Sequence, residues 1–433
     1  MLSKNIAVLG LGKSGLSTVN FLLKNGIVPT VFDTREKPFG EDELPKEVTL
    51  IKGDFDGSKL SEFDLLIIGP GLPLSMPSLQ QALTKGVEII GDIELFAHYV
   101  NKPTVGITGS NGKSTVTTLV ALMAKADGKK CGMGGNIGIA ALDIIDEAND
   151  VYVLELSSFQ LETTKSLNLV GCTILNLSED HLDRYDGSMK KYLEAKQRIF
   201  NNATNIIVNR DDAATIPPQN GEYKSFGLDN FSYGRVVDGE EIYLSVDGEK
   251  IININDVLIK GTHNQANALA AMALADTLGI SREAQVSVLK SFKGLEHRCQ
   301  HVRTLNGVTY YNDSKATNVG STLAAVNGLK DSIKGKLILL VGGLGKGQDF
   351  TPIKNLLGKE VAKMYCYGKD GLMLSKLGAE CELVEDMQEA IYKAKDIAID
   401  GDVVLLAPAC ASLDQFKSFE ERGNVFENIV KDL

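Results

Sequence analysis

The chain has 433 residues, of which 43% are hydrophobic and 23% are charged, and its formal net charge is −11 at pH 7. At roughly 100–200 residues per domain, this length predicts two to four domains, and we expect three. The composition is typical of a soluble globular protein, and no apolar run approaches the ~20 residues that a membrane span needs. The acidic balance argues against nucleic acid as a partner, and we expect no membrane partner either.

The N-terminal stretch MLSKNIAVLGLGKSG turns glycine-rich after a short apolar run and has no small-residue cleavage site. This pattern predicts a buried strand and not a signal peptide. The six cysteines are scattered along the chain without a C-x-x-C pair. Such spacing favours reduced, mostly buried thiols over zinc ligands or disulfides. We therefore expect a cytoplasmic protein.

Strand and helix patterns alternate along the whole chain, which predicts an α/β fold. Short β-branched apolar runs predict strands buried on both faces of parallel sheets: NIAVLG, DLLIIGPG, VYVLELS, GCTILNLS, KLILLVGG and DVVLLAPA. Amphipathic segments between them predict helices, such as GLSTVNFLLKNG with Gly26 at its C-terminal end. Turn-rich stretches predict three domains, at 1–91, 92–294 and 295–433. Inside the second, residues 225–256 contain Asp-Gly turns and predict a small antiparallel insertion.

A first glycine-rich loop follows the first predicted strand. Gly10, Gly12 and Gly15 match G-x-G-x-x-G, and Asp33 ends the next strand, where a ribose-binding acid belongs. Backbone amides at such a turn bind a diphosphate, which any nucleotide diphosphate can supply, so the motif alone does not specify NAD. The first section, at about 90 residues, is also too short for a six-stranded dinucleotide fold. A strand-to-helix turn without a ligand is the alternative.

A second loop, GITGSNGKST at residues 106–115, carries a stronger signal. Gly109, Gly112, Lys113 and Ser114 form G-x-x-G-K-S, two residues shorter between the glycines than the usual phosphate-binding loop. Because a good helix follows, the loop amides and Lys113 are placed to bind the phosphates of ATP. The hydroxyl of Ser114 or Thr115 is then placed to ligate Mg²⁺. A solvated turn is the alternative.

Polar residues end two later strands. VYVLELSSFQLE places Glu155 and Ser157 at the carboxyl end of one strand. After another strand, CTILNLSEDHLDRY places Asn176, Glu179, Asp180, His181 and Asp183. Ligands of open α/β sheets bind at such ends, so these residues and the phosphate loop predict a site for two Mg²⁺ ions. Taken alone, Glu155 could be a buried acid paired with arginine, and His181 a neighbour of a helix cap. Tyr185 we assign to a turn at the surface.

Seven motifs together resemble the Mur ligase family, the amide-forming ligases that build the peptidoglycan peptide: GITGSNGKST, LELSSFQLE, LNLSEDHLDRY, GTHNQANALAA, GLEHR, NDSKATN and PACASLDQFKSFEERG. The resemblance covers essentially the whole chain and is nearest to the member that adds glutamate. It implies a Rossmann-like N-terminal domain, a central P-loop ATPase-like domain and a Rossmann-like C-terminal domain.

The resemblance also implies a reaction. ATP would phosphorylate UDP-N-acetylmuramoyl-L-alanine to an acyl phosphate, which D-glutamate would then attack. Such a protein would be a cytoplasmic monomer that serves peptidoglycan synthesis, and through it cell shape and cell division. The two glycine loops would hold different nucleotides, the first the UDP substrate and the second ATP.

Site residues follow from the same resemblance. Contacts to the UDP substrate would be Gly12, Lys13, Ser14, Asp33, Thr34, Arg35, Gly71, Asn136 and Ser157. Contacts to ATP would be Gly109, Ser110, Asn111, Gly112, Lys113, Ser114, Thr115, Asn264, Asn267, Arg298 and Asp313. D-Glutamate would meet Thr317, Lys346, Ser412 and Phe419. The catalytic set would be Lys113, Glu155, His181, Lys196, Arg298, Asp313 and Lys315, and the Mg²⁺ ligands Ser114, Glu155, His181 and a carbamylated Lys196.

Simpler interpretations stay open for several of these residues. Asn264 and Asn267 could be a helix cap and a surface amide, and Arg298 an interdomain salt-bridge partner. Without the resemblance, Lys196 in MKKYLEAKQRIF would be assigned to a solvated basic helix face. Asp313 with Lys315 could form a solvated turn, and Lys346 could be a loop charge, whereas Cys410 is expected in the core.

Other functions also stay open. One is a Mur ligase that adds a different amino acid. An NAD-linked oxidoreductase would explain the first loop but leave the second loop idle. A nucleotide-switch module would explain the second loop but not seven polar motifs from three domains.

Overall fold

The computed structural model describes residues 5–218, 221–259, 261–330 and 333–433. Three β-sheets follow one another along this part of the chain, in the order β3-β2-β1-β4-β5, then β14-β13-β12-β11-β10-β9-β6-β8-β7, then β15-β16-β20-β17-β18-β19, with strands numbered in chain order. Each sheet is built from a separate section of sequence.

The first sheet is wholly parallel. Its strands are β1 (Ile6–Leu9), β2 (Thr30–Asp33), β3 (Thr49–Lys52), β4 (Leu65–Ile68) and β5 (Glu88–Gly91). Its helices are α1 (Lys13–Lys24), α2 (Gly57–Leu60) and α3 (Pro77–Thr84), with a 3₁₀ helix at Glu41–Glu43. Strand order reverses at β1, so a crevice opens between the carboxyl ends of β1 and β4, where such folds bind ligands.

The central sheet is reached through α4 (Asp92–Tyr99). Its strands are β6 (Thr104–Thr108), β7 (Cys131–Gly135), β8 (Val151–Glu155), β9 (Gly171–Ile174), β10 (Ile206–Asn209), β11 (Lys224–Phe226), β12 (Tyr233–Asp238), β13 (Glu241–Val246) and β14 (Glu249–Asn253). Its helices are α5 (Lys113–Ala126), α6 (Ser158–Glu162), α7 (Met189–Gln197), α8 (Thr262–Thr277) and α9 (Arg282–Ser291), with 3₁₀ helices at Ala141–Ile144, Arg198–Phe200 and Ala213–Thr215.

The third sheet combines one antiparallel hairpin with parallel strands. Its strands are β15 (Gln300–Leu305), β16 (Val308–Asn312), β17 (Leu337–Gly342), β18 (Val361–Tyr367), β19 (Cys381–Leu383) and β20 (Val403–Leu406). Its helices are α10 (Val319–Leu329), α11 (Thr351–Lys354), α12 (Gly371–Leu374), α13 (Met387–Ile397) and α14 (Phe419–Asp432).

The α/β prediction is confirmed. The six predicted apolar runs form β1, β4, β8, β9, β17 and β20, and every residue of these strands is buried. Helices cover both faces of a parallel sheet, so its inner strands carry apolar side chains on both sides. The predicted antiparallel strands are also present, and β12 to β14 extend the edge of the central sheet. Boundaries near residues 91 and 294 stay predictions.

None of the helices in the described ranges is long and apolar enough to cross a bilayer.

Candidate active site

A cavity of about 350 Å³ opens beside the first glycine loop, lined by Gly10, Gly12, Lys13, Ser14, Gly15, Asp33, Thr34, Arg35, Phe55, Gly69, Pro70, Gly71 and Leu72. The structure accounts for each glycine of the loop in a different way. Gly10 has a φ of +86°, and a Cβ on Gly15 would lie 1.9 Å from the carbonyl oxygen of Gly10. A Cβ on Gly12 would meet no atom within 4 Å. Gly12 therefore leaves open space next to the cavity.

Asp33 holds this loop from within. Its carboxylate accepts hydrogen bonds from the Leu11 amide at 2.6 Å and from Nε and Nη2 of Arg35 at 2.8 and 2.6 Å. Burial alone would raise the pKa of Asp33, but these bonds outweigh it and lower the pKa to about 2. Both oxygens are thus already bonded within the protein, and Asp33 orients Arg35 toward the cavity rim.

The second glycine loop lies between β6 and α5. Gly109 and Gly112 have φ values of +145° and +83°, which favour glycine. A Cβ on Gly112 would lie 2.4 Å from Oδ1 of Asn267, so α8 packs directly against the loop. Asn176 fixes the loop from β9, since its Oδ1 accepts from the Asn111 amide at 2.8 Å and its Nδ2 donates to the Asn111 carbonyl at 3.0 Å.

Lys113 is folded back onto its own loop. Its Nζ donates to the carbonyl oxygens of Gly109 and Ser110 at 2.7 and 2.8 Å. Burial lowers the pKa of Lys113, and the charges of Glu155 and Asp180 oppose that shift. The side chain of Lys113 therefore lies against the loop whose amides are predicted to bind phosphate.

Glu155 ends β8 and is only 3% exposed. Its Oε1 accepts from Nδ2 of Asn136 at 2.8 Å, while the buried Oε2 has no hydrogen-bond partner within the described ranges. A buried, unbonded carboxylate oxygen is costly unless a donor or a cation reaches it. Pairing with an arginine, the alternative that the sequence left open, is not what holds this side chain.

Lys196 lies on α7 and is 2% exposed. Its Nζ donates to the Gly109 carbonyl at 2.9 Å and lies 4.5 Å from the ring centroid of Tyr192. Burial, reinforced by the charge of Lys113, holds the pKa of Lys196 well below its usual value. Assignment to a solvated basic face is therefore wrong for Lys196, whereas its neighbour Lys190 is on the surface with 85% of its side chain exposed.

His181 stands beside this cluster with a φ of +53°. Its ring lies edge-on to Phe159, with centroids 4.9 Å apart. Burial and the charge of Lys346 lower the pKa of His181, against the opposing effect of Asp180. The imidazole is thus neutral near pH 7, which is the form that ligates metals.

Asp180 and Lys346 join the central and third domains. Nζ of Lys346 donates to Oδ1 of Asp180 at 2.9 Å. Burial, the largest single effect, would raise the pKa of Asp180, but the charge and hydrogen bond of Lys346 together with neighbouring charges outweigh it, and the pKa is lowered. Lys346, predicted to contact D-glutamate, is therefore paired with a carboxylate of the central domain and is not simply a loop charge.

Other contacts also close the third domain over the phosphate loop. Nη2 of Arg298 donates to the Ser114 hydroxyl at 2.8 Å. Nδ2 of Asn318, which caps α10, lies 3.3 Å from Oδ1 of Asn111, and the Ser321 hydroxyl donates to the same oxygen. The N-terminus of α10 thus sits on the tip of the loop.

Asp313 and Lys315 follow β16. Burial raises the pKa of Asp313 to about 7, although Arg298 favours its charged form. Burial lowers the pKa of Lys315 to about 8. Nζ of Lys315 lies 3.9 Å above the ring centroid of Phe419. A fully solvated turn would shift neither pKa, so that alternative does not fit.

Further predicted residues bond to neighbouring residues of the site or are buried near it in the chain. The Thr317 amide donates to the Lys315 carbonyl at 2.7 Å, and Ser412 is buried. Nδ2 of Asn267 donates to Oδ1 of Asn264 at 3.1 Å. Cys410 is fully buried, and burial raises its pKa to about 12, as expected of a core thiol.

The structure thus groups the predicted residues into two clusters. Around the phosphate loop, the charge of Glu155 opposes the burial that lowers the pKa values of Lys113, Lys196 and Arg298. The predicted UDP contacts of the first domain line the separate cavity. In the described ranges no group of three or more His, Cys, Asp and Glu side chains could hold a metal ion by itself. Tyr185, which we had assigned to the surface, is buried at 6% exposure.

Sequence reasoning gave no role to several residues of this site. Asn176 and Asp180 belong to a motif that the sequence singled out, but their roles in fixing the loop and pairing Lys346 depend on tertiary contacts. Asn318 lies within the motif NDSKATN and carries the signal of a helix cap. The interdomain bonds of Asn318 and Ser321 leave no mark in the sequence.

Comparisons with known proteins find similarity to Mur ligases along nearly the whole chain. Three family models match: "Mur ligase MurD-like, N-terminal domain" at residues 4–91, "Mur ligase middle domain" at 107–275 and "Mur ligase, glutamate ligase domain" at 297–410. A curated relative, the UDP-N-acetylmuramoylalanine--D-glutamate ligase of Escherichia coli strain K12, is 49% identical over 99% of this chain and 98% of its own length.

Solved structures share the fold at lower identity. A pseudomurein peptide ligase type C from Methanothermus fervidus has a TM-score of 0.65 and 21% identity, covering 99% of this chain and 100% of its own. The MurF ligase from Thermotoga maritima in complex with ADP has a TM-score of 0.60 and 16% identity, covering 99% of this chain and 95% of its own.

Proposed function

The chain belongs to the Mur ligase family, and from that premise we propose that it joins D-glutamate to UDP-N-acetylmuramoyl-L-alanine in an ATP-dependent reaction of peptidoglycan synthesis. The observation that carries the proposal is the 49% identity to a ligase of that name over nearly the full length of both chains. The enzyme is accordingly an ADP-forming amide ligase. We further propose that it works as a monomer in the cytoplasm.

The two glycine loops divide the substrates between them. We assign the UDP end of the acceptor to the first cavity, where Gly12 leaves space and Arg35 stands at the rim. ATP is assigned to the second loop, where Lys113 and Arg298 supply positive charge. Asn264 and Asn267 are assigned to adenine, because α8 packs against Gly112 of that loop.

The chemistry follows from the poor reactivity of a carboxylate. The alanine carboxylate takes the γ-phosphoryl group of ATP and ADP leaves. The D-glutamate amine attacks the acyl phosphate and loses a proton, and the tetrahedral intermediate collapses to the amide and inorganic phosphate. Positioning and charge neutralisation are the main requirements of such a step. We assign Lys113, Arg298 and Lys315 to the charge that develops on the transferred group, and Asp313 to the ATP ribose.

D-Glutamate is assigned to the third domain. Lys315 lies over the Phe419 ring and its carbonyl accepts from the Thr317 amide, while Ser412 is buried in the same domain. Lys346 is shared between Asp180 and the incoming carboxylates, so substrate binding has to compete with the ion pair.

The donor set fits a divalent cation in part. Oε2 of Glu155 is a buried oxygen with no partner in the described ranges, and the His181 imidazole is neutral. We propose that Glu155, His181, the Ser114 hydroxyl and a modified Lys196 hold Mg²⁺ at two positions. When bound, Mg²⁺ neutralises the negative charge of the phosphates.

An ammonium cannot ligate a cation, so this assignment requires Lys196 to change chemically. Burial holds the pKa of Lys196 well below its usual value, which favours the neutral amine, and a neutral amine adds carbon dioxide to form a carbamate and a released proton. The side chain then carries a carboxylate-like group of charge −1.

We expect Lys196→Ala to be nearly inactive and to recover part of its activity with added acetate, which can occupy the vacated oxygen position. Lys196→Arg should be inactive and beyond rescue, because its guanidinium keeps its charge and fills the space. Steady-state ligation assays of both variants, with and without acetate, measure the loss of activity and its rescue. Near-normal activity of Lys196→Ala would refute the carbamate.

The proposed reaction is tested with purified protein, ATP, Mg²⁺ and UDP-N-acetylmuramoyl-L-alanine. Phosphate release should require D-glutamate, with little release for L-glutamate or L-alanine. Release that needs no amino acid would point to a nucleotide switch, and transfer of L-alanine to UDP-N-acetylmuramate would point to another Mur ligase. An absorbance change at about 340 nm with NAD would indicate an oxidoreductase.

A further inference from the structure

A buried carboxyl group lies where the first domain meets the central domain. Asp92 begins α4 directly after β5 and is 3% exposed. Its Oδ1 accepts from the Ile93 amide at 3.0 Å, and its Oδ2 accepts from Nε2 of Gln160 at 3.2 Å. The Ser14 side chain is a further hydrogen-bonding neighbour of this carboxyl group. Asp92 thus touches both domains at once.

Each end of this connection leads to a substrate site. Ser14 lies on α1 and lines the first cavity. Gln160 lies on α6. Its side-chain Oε1 accepts from the backbone amide of Ser157 at 3.1 Å, and its backbone amide donates to the Ser157 hydroxyl at 3.2 Å. Ser157 comes two residues after Glu155, so Asp92 connects the cavity to the end of β8.

The contacts of Asp92 named here are a carboxamide, a hydroxyl and a backbone amide, all of them neutral. Burying a carboxyl group without a cationic partner is expensive, and its pKa is raised by that burial. An apolar side chain would pack at this position at lower cost. The polar group is therefore best explained by the two side chains that it orients, Ser14 and Gln160.

We propose that Asp92 is a positioning residue that transmits ligand binding in the first cavity to the Ser157 end of β8. In the ligase this connection sets the acceptor carboxylate against the phosphate loop, and that consequence rests on the proposed function. The connection itself requires only that UDP binds in the first cavity.

Glu94 offers a matched control on the same helix. It is 4% exposed, and its carboxylate accepts from the amides of Lys165 and Ser166 at 2.5 and 2.9 Å. It is therefore a buried acid at the same junction that contacts the segment after α6 and does not reach Ser14. Glu94→Gln perturbs the junction to a similar degree without breaking the connection.

The test measures amide hydrogen exchange of residues 157–163 with and without saturating UDP. In the wild-type protein and in Glu94→Gln, UDP should slow exchange of these amides at least threefold. Asp92→Asn should bind UDP within threefold of the wild-type affinity yet lose the slowing. Retention of the effect in Asp92→Asn, its absence in the wild type, or its loss in Glu94→Gln would each overturn the proposal.

A second route covers the case in which Asp92→Asn does not fold. Ser14→Ala breaks the same connection from the cavity side, and at saturating UDP it should also lose the slowing; a normal response would overturn the proposal. In ligation assays Asp92→Asn should lose at least tenfold in kcat/KM for the UDP substrate, with the KM for ATP unchanged within twofold. A wild-type protein that shows the exchange effect but no ligation would contradict the proposed function alone.

Discussion

Lys113 is the lysine of the second glycine loop, and its ammonium donates to two carbonyl oxygens of that loop. We expect Lys113→Ala to lose about 1000-fold or more in ATP-dependent ligation, because a preorganised cation stabilises the transferred group. Lys191→Ala is the control, since that lysine is exposed and pairs with Asp186 at the surface. Turnover of Lys113→Ala within tenfold of wild type, with an unchanged circular dichroism spectrum, would refute the assignment.

Asp313 should make the stability of the free protein depend on pH. Burial raises its pKa to about 7, whereas the unfolded chain has an ordinary value near 3.8. Between these values the folded state keeps a proton that the unfolded state has released, so the contribution of Asp313 to stability falls as pH rises from about 4 to about 7.

Denaturation of the wild type and Asp313→Asn over this pH window measures the effect. The stability of the wild type relative to the variant should fall steadily across the window and level off above it. A constant difference from pH 4 to pH 8 would mean that the Asp313 carboxyl titrates normally.

Individual residues show which parts of the site could be predicted from the sequence. Glu155 and His181 were found because they follow strands, and the carboxyl ends of parallel strands meet at one edge. The burial of Lys196 was not readable, since its helix also carries exposed lysines. The pairing of Lys346 with Asp180 joins positions 166 residues apart, and it exists only because two domains approach each other.

The turn between β1 and α1 provides a test of which loop holds which nucleotide. A Cβ at Gly12 would meet no protein atom within 4 Å, so we expect Gly12→Val to fold normally and to project into the space beside the first cavity. We expect the KM for the UDP substrate to rise at least tenfold while the KM for ATP stays unchanged.

Gly12→Ala is the graded control and should show a smaller rise in the same KM. The opposite pattern, a raised KM for ATP alone, would mean that the two loops had been exchanged in our assignment.

Elements were predictable where burial is uniform. β17 is buried at all six positions and reads as a strand from its apolar residues alone. α6 has only five residues and owes its start to the Ser157 capping box, so its amphipathic pattern is too short to measure. The glycine loops were predictable because their conformations require particular residues.

The third domain contacts the phosphate loop of the central domain through hydrogen bonds that can be removed one at a time. Ser321 donates to Asn111 across the junction, while its own amide bonds the cap residue Asn318. Ser321→Ala should therefore keep α10 intact and weaken the contact between the third domain and the phosphate loop.

We expect Ser321→Ala to raise the KM for ATP about three- to tenfold and to increase the radius of gyration of the free protein in small-angle X-ray scattering. Ser291→Ala, at the exposed end of α9, is the control and should change neither quantity. Unchanged values for Ser321→Ala would mean that this hydrogen bond does not hold the domains together.

The folded-back position of Lys113 has a consequence for selectivity in a crowded cell. Inorganic phosphate and other small anions are competitors for this loop. Each would have to take the ammonium away from two carbonyl oxygens, with only the loop amides and Arg298 to offset that loss. A nucleotide held also through its base and ribose can meet this cost from its other contacts. The ligand-free loop thus favours a whole nucleotide over a small anion, because only the nucleotide has base and ribose contacts to offset the lost hydrogen bonds of Lys113.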